Sequence, residues 1–178
     1  MAEADADRFT RIYRATHPRV LAYAMRRTSP DAAREAVSDT FLIAWRRLPD
    51  VPEAPLPWLL VVARNVLADQ RRGGRRYDAL VTEISWLAAG AAGPDLSDGV
   101  VERTTVLQAV AALAEPDREA LVLSVWDGLG NKDAATVAGC SAATFAVRLH
   151  RARRRLRAEL ARLDGAEAAA PTVRMEAG

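Results

Sequence analysis

Lysine is almost missing from this 178-residue chain: Lys132 stands alone among 25 basic residues, the rest being arginine. Cysteine is equally scarce. Cys140 is single, so no disulfide forms within the chain, and one Cys with two distant histidines, His17 and His150, lacks the spacing of a zinc site. No apolar run approaches the roughly 18 residues of a membrane span; the longest resemble Trp58–Ala63. The acidic start, Met-Ala-Glu-Ala-Asp-Ala-Asp, has no apolar h-region, so a secretory signal is not expected. Neither a Ser/His/Asp arrangement, a phosphate-binding glycine loop nor a metal-spaced cluster is visible. The expectation is a cytoplasmic protein that is not an enzyme, holds no cofactor or metal and inserts in no membrane.

What is present is half hydrophobic, with 27% charged residues, which is not a disordered composition. The length suits one ordinary domain or two small ones. The net charge of +2 conceals an uneven distribution. Residues 58–77 carry five arginines against one aspartate, a net +4, and residues 131–163 carry eight basic residues against two acids, a net +6. Between them, residues 78–120 carry eight acids against two arginines, a net −6. Two basic blocks flanking an acidic one suit two contact surfaces for a polyanion, with a middle that avoids it.

Apolar spacing places the elements. Phe9, Ile12, Tyr13, Thr16, Val20 and Ala24 mark an amphipathic helix, which Pro18 should kink or interrupt. Ser29-Pro30 supplies a capping oxygen before a proline at the first helical position. The helix that follows runs to about Leu48, with Ala33, Ala36, Val37, Thr40, Phe41, Ala44, Trp45 and Leu48 on its inner stripe. Phe41 and Trp45 share a face and are expected in the core. Four prolines between Pro49 and Pro57 make a stiff loop, and Pro57 can open the next helix, which ends in the run Arg71–Arg76. Residues 78–100 have linker composition, with Trp86 in a small apolar patch suited to a domain or a partner. Helical spacing returns at Val106, Leu107, Val110 and Leu113. A run through Ala120, Leu121, Leu123, Val125 and Trp126 is then broken by Asp127-Gly128. A short helix, Asn131 to Ala138, precedes Gly139-Cys140-Ser141 and a long basic helix from Ala142 to about Leu163. The tail from Asp164 should fray. No segment alternates with period two for long enough to argue a strand, so the fold class is all-α, in two small helical domains.

The stretch from Asp127 to Arg151 reads as a helix-turn-helix. Ala134, Ala135 and Ala138 let the first helix approach its neighbours closely. Gly139 allows a left-handed turn, Ser141 caps the second helix, and Val137, Phe145 and Leu149 point inward. Ala142, Ala143, Thr144, Ala146, Arg148 and Arg151 fall nearer the exposed side. A slim helix fits a major groove, and arginine pairs bidentately with a guanine edge. In the first basic block, Trp58 beside an Arg-rich helix end suits stacked bases and a single-stranded backbone, although a Trp on an apolar helix also suits a core.

Together these motifs resemble a bacterial sigma factor of the extracytoplasmic-function (ECF) group over about residues 8–163. Phe41–Leu48 resembles the family's region-two helix, which docks on the RNA polymerase core. Pro57–Asn65 with Asp69, Arg71 and Arg72 resembles the helix that addresses the promoter's minus-ten element. Leu113–Leu121, Trp126–Leu129 and Arg148–Arg153 with Leu156 resemble region four, which reads the minus-thirty-five element. The resemblance implies a region-two-like domain over 8–77, a linker over 78–100, a region-four-like domain over 101–163 and a frayed tail over 164–178. It implies polymerase contacts at Glu35, Ser38, Asp39 and Arg46, and minus-ten contacts at Trp58, Arg64, Asn65, Arg71 and Arg72. It also implies minus-thirty-five contacts at Lys132, Ser141, Ala143, Thr144, Arg148, Arg151 and Arg153. The partners it implies are RNA polymerase core, promoter DNA (duplex upstream and single-stranded at minus ten) and an anti-sigma factor.

Some positions depart from the family pattern. Glu35 and Ser38 stand for the usual Asp and Gln, Gly130 for a capping Ser, Asp133 for Glu, Ala134 for a larger aliphatic, and Ala146 for a frequent Lys. The competing reading is a helix-turn-helix regulator that binds duplex DNA without polymerase. Addition to core polymerase separates the two, since a regulator needs a sigma factor already present.

Overall fold

The computed structural model describes residues 2–73 and 100–168, all of whose regular elements are helical. The linker up to residue 99 with Trp86, the arginines at 75 and 76, and the tail from residue 169 lie outside the described residues.

Helix α1 spans Ala2–Met25 without interruption through Pro18, where the periodicity predicts a break. The proline removes one backbone donor from the helix. The buried side of the same helix, Val20, Tyr23 and Ala24, is fully enclosed against α2 and α3, and this packing holds the last two turns in register. Helix α2 spans Pro30–Arg46. Pro30 occupies the first position as expected, and Ser29 is extended at φ −62 and ψ 156, but its hydroxyl makes no capping bond. The fixed φ of the proline starts the helix, and the Ala33 N–H donates to the Ser29 carbonyl at 2.8 Å.

After α2 the chain makes a 3₁₀ turn, Leu48–Asp50, and enters α3, Pro55–Gly73. The stiff proline run is therefore shorter than its composition implies. Pro55 and Pro57 both lie in the first turn of α3, where backbone N–H groups have no intrahelical acceptor to lose. The inner stripe of α2 is buried as expected except at Trp45, which is 45% exposed. Its ring stands edge-on to Phe9, centroids 5.1 Å apart, at the rim of an aromatic group with Tyr13, His17 and Phe41. Trp45 lies one position past the buried line through Thr40, Phe41 and Ala44, far enough around the helix to face outward.

The second half contains α4 (Val100–Ala111), α5 (Glu115–Leu121), α6 (Asn131–Ala138) and α7 (Ala142–Ala168). Helix α5 widens into a π turn over Val122–Trp126, closed by the Asp127 N–H on the Val122 carbonyl at 3.0 Å. Gly128, at φ +62, then turns the chain, as the Asp-Gly signal predicts. The wider turn swings Val125 and Trp126 outward, leaving them exposed where the apolar run predicts core. Helix α7 gathers α4, α5 and α6 around Phe145, Leu149 and Ala152. Beyond the two expected domains, α3 also packs on α6, so one buried cluster runs from Val20 and Leu59 through to Val137 and Phe145.

Asp117, near the start of α5, is completely buried. Arg151 meets it with Nε and Nη2, at 3.0 and 2.7 Å to Oδ1, and Arg155 Nη1 lies 2.7 Å from Oδ2. These bonds join α5 to α7. The hydrogen bonds from Arg151 hold the Asp117 carboxyl below the usual aspartate range, against the opposing effect of burial. A depressed carboxyl stabilises the fold above its unfolded-state pKa, and that contribution disappears as pH falls through the folded-state value. Asp117→Asn should therefore lower Tm at pH 7 by at least about 4 °C. The difference from wild type should shrink below pH 4 in circular-dichroism melts; a constant difference across that range would show that the pair contributes through shape alone.

Candidate nucleic-acid interface

The helix-turn-helix is built by two end signals in succession. Gly139 is left-handed at φ 68 and ψ 37. Its N–H donates to the Thr136 carbonyl at 3.2 Å, and the Cys140 N–H donates to the Ala135 carbonyl at 3.0 Å. This is a Schellman closure of α6, and glycine adopts its conformation without the steric penalty of a Cβ. Two residues later the Ser141 hydroxyl accepts from the Thr144 N–H at 3.1 Å and opens α7. Gly130, at the start of α6, is extended and offers no side chain to cap it. The inward set Val137, Phe145 and Leu149 is buried as expected.

The outer face of α7 begins slim, with Ala142, Ala143, Thr144 and Ala146 exposed, and Lys132 is exposed on α6. Val147 adds an apolar side chain that is 63% exposed, which the sequence reading omits. Arg148 is half-buried one turn along, and Arg153 is exposed. Arg151 faces back to Asp117, so one edge of its guanidinium serves the fold. The Ser141 and Thr144 hydroxyls lie 2.9 Å from each other, which orients both at the helix start. A narrow helix tip followed by cations is a shape and charge that a major groove accepts.

The predicted residues of α3 fall on more than one side. Asn65, Arg71 and Arg72 are exposed, and Arg72 is paired with Asp69 one turn back. Arg71 Nη2 donates to the Arg27 carbonyl at 2.6 Å, bracing the end of α1. Trp58 is half-buried against the core, with the Arg47 guanidinium 5.9 Å from its ring centre. Arg64 turns towards the second half, with Nε 3.6 Å from Glu119 Oε1.

Between α2 and α3 the loop is held by a residue that the sequence reading missed. Arg8 Nη1 donates to the Leu48 carbonyl at 2.8 Å, and Nη2 donates to the Val51 carbonyl at 2.6 Å. No local pattern marks Arg8, because its acceptors lie 40 and 43 residues away.

On α2, Glu35, Ser38, Asp39 and Arg46 are all exposed and fall on one side at helical spacing. Leu42 lies among them and is 47% exposed, with Trp45 at the edge. Polar groups around exposed apolar side chains are the make-up of a protein-binding face. The described residues contain no cluster of three or more His, Cys, Asp or Glu able to hold a metal ion, and no helix long and apolar enough to cross a membrane.

Known proteins share both halves. Residues 12–77 match the family Sigma-70 region 2, and residues 103–156 match Sigma-70, region 4. The chain is 36% identical over 161 residues to the probable RNA polymerase sigma factor RfaY of Xanthomonas campestris pv. campestris, a match covering 85% of this chain and 40% of that protein. It is 30% identical over 145 residues to the ECF RNA polymerase sigma factor SigL of Mycobacterium tuberculosis, covering 79% of this chain and 82% of SigL. The fold is similar to the sigma factor RpoE in its complex with the anti-sigma factor NepR from Bartonella quintana, at TM-score 0.62 and 26% identity, covering 85% of this chain and 96% of that one. It is also similar to CnrH in complex with the cytosolic domain of CnrY, at TM-score 0.57 and 25% identity, covering 85% and 86%. With region 2 and region 4 matched in chain order and SigL covered over most of its length, this chain belongs to the sigma-70 family of RNA polymerase sigma factors, in the extracytoplasmic-function group.

Proposed function

We propose that this chain directs RNA polymerase core to specific promoters and assists their melting, acting in the cytoplasm without catalytic activity or cofactor of its own. The domain bounds of the proposal are 8–77 for core and minus-ten binding, 78–100 for the linker, 101–163 for the minus-thirty-five element and 164–178 for the tail. The observation that carries it is the capped, slim start of α7 with Arg148 behind it, in the same chain as a second Arg-bearing helix, α3. Lys132, Ser141, Ala143, Thr144, Arg148 and Arg153 address the upstream duplex, with Arg151 oriented beside them by Asp117. Trp58, Arg64, Asn65, Arg71 and Arg72 address the opened strand. Glu35, Ser38, Asp39 and Arg46 meet the polymerase, with Leu42 supplying apolar area between them. An anti-sigma factor is a further partner, supported by the complexes in which the similar structures were solved.

Run-off transcription with purified core enzyme on a genomic promoter pool tests the whole reading. Discrete start sites should appear on adding this chain alone. Their absence, with binding to duplex DNA intact, would favour a regulator that works beside another sigma factor.

Two substitutions test the parts. Arg148→Ala should weaken binding to the upstream duplex by about 1–3 kcal/mol if the guanidinium pairs with a base. Unchanged affinity in a folded variant removes it from the site. We take the loop ahead of α3 to form part of the pocket for the unpaired minus-ten base, so Arg8→Ala should free it at Leu48–Val51 and reduce strand opening while leaving upstream-duplex affinity intact, because a pre-shaped loop lowers the entropy cost of holding a base. Permanganate reactivity of promoter thymines with core enzyme is the measurement. Equal reactivity in Arg8→Ala would show that the loop takes no part in melting.

A further inference from the structure

The most exposed large apolar side chain among the described residues is Val147, at 63%, and it stands on the arginine-rich helix α7. Phe145, Leu149 and Ala152 form the buried line of that helix. At about 100° per residue, Val147 lies roughly 160° round the axis from both Phe145 and Leu149, so it points straight away from the core. Ala143, His150 and Arg154 share its side, and all three are exposed. Arg148 lies only about 60° from Phe145 and is half-buried, on the flank of the helix. The outermost line of α7 runs through Val147.

The neighbours of Val147 leave it uncovered. Ala143, one turn before, and Ala146 beside it are too short to reach over it. Arg151, one turn on, is turned to Asp117 by bonds of 3.0 and 2.7 Å to Oδ1. The Thr144 hydroxyl lies 2.9 Å from that of Ser141. One valine among short side chains is too small an area for a protein partner, and Arg148, Arg153 and Arg154 surround it with positive charge. In the major groove thymine alone presents a methyl group, on C5, whereas cytosine presents an amine donor on N4. Valine is stiff at χ1, so it loses little freedom on contact. A cytosine at the same step would turn its amine towards two methyl groups, where it finds no acceptor.

We propose that Val147 is a specificity-determining residue of the upstream contact, selecting thymine at one base step by packing on its C5 methyl group. The inference rests on the role proposed for α7 in addressing the upstream duplex, and adds a base preference that the cationic side chains do not supply. Arginine favours guanine or phosphate; the valine favours thymine.

Selection from duplexes randomised over one turn of DNA, by the full chain with core polymerase and against core alone, gives the preferred upstream sequence. Each thymine of that sequence is then replaced by deoxyuridine, which pairs identically and lacks only the C5 methyl group. Wild type should lose affinity about fourfold at one thymine, the effect of one buried methyl group. Val147→Ser should bind the thymine and deoxyuridine duplexes equally at that step. It should also keep the salt dependence of wild type, since no phosphate contact is lost. Val125→Ser, which removes a comparably exposed valine on the π turn, should retain the difference between the two duplexes. An enriched sequence with no methyl-dependent thymine overturns the proposal, and so does a methyl dependence that survives in Val147→Ser. In both cases the duplex role of α7 stands. The absence of any enriched duplex overturns that role, and the selection of thymine with it.

Discussion

A carboxylate buried in a chain with this much arginine does not stay alone, and two buried aspartates govern where the arginines point. Asp117 draws Arg151 and Arg155 back from the face of α7. Asp127 draws Arg26 and Arg27 across the boundary between the halves. Both anchor a planar, forked cation that retains further donors after one edge is engaged. The surface charge is thus sorted into guanidinium groups that hold the fold together and groups that are presented outward.

The same sorting runs along α3 and α7. On α7, Arg153, Arg154 and Arg157 are exposed, while Arg151 and Arg155 are tied inward. On α3, Asn65, Arg71 and Arg72 face solvent while Arg64 faces Glu119. Pairs at a partly buried boundary are less screened by salt than exposed ones.

The exposed apolar residues follow a related logic. Leu42 and Trp45 sit beside the polar row of α2, and Val125 and Trp126 sit on the π turn. In both places a small rotation of the helical pattern carries a large side chain out of the core. At α2 the cause is position, since Trp45 lies just past the buried line. At the π turn the cause is one extra residue in the hydrogen-bonded ring, which period counting does not register.

What the sequence determined by itself was most of what depends on a few neighbouring residues; the exceptions are Pro18, which does not break α1, and Ser29, whose hydroxyl makes no cap. Pro30 at a helix start, Gly139 in the left-handed region, Ser141 capping α7, and the inward set Val137, Phe145 and Leu149 are all where their spacing put them. These signals act through sterics and local hydrogen bonds, which are complete within one or two turns. The tertiary structure alone decided the rest. Arg8 meets carbonyls 40 and 43 residues away, Arg151 meets Asp117 at 34, and Arg26 meets Asp127 at 101. A charge carries no sign in the sequence of whether it will face water, a phosphate or a buried carboxylate. That choice is made only when the helices that bear the two charges are packed against each other.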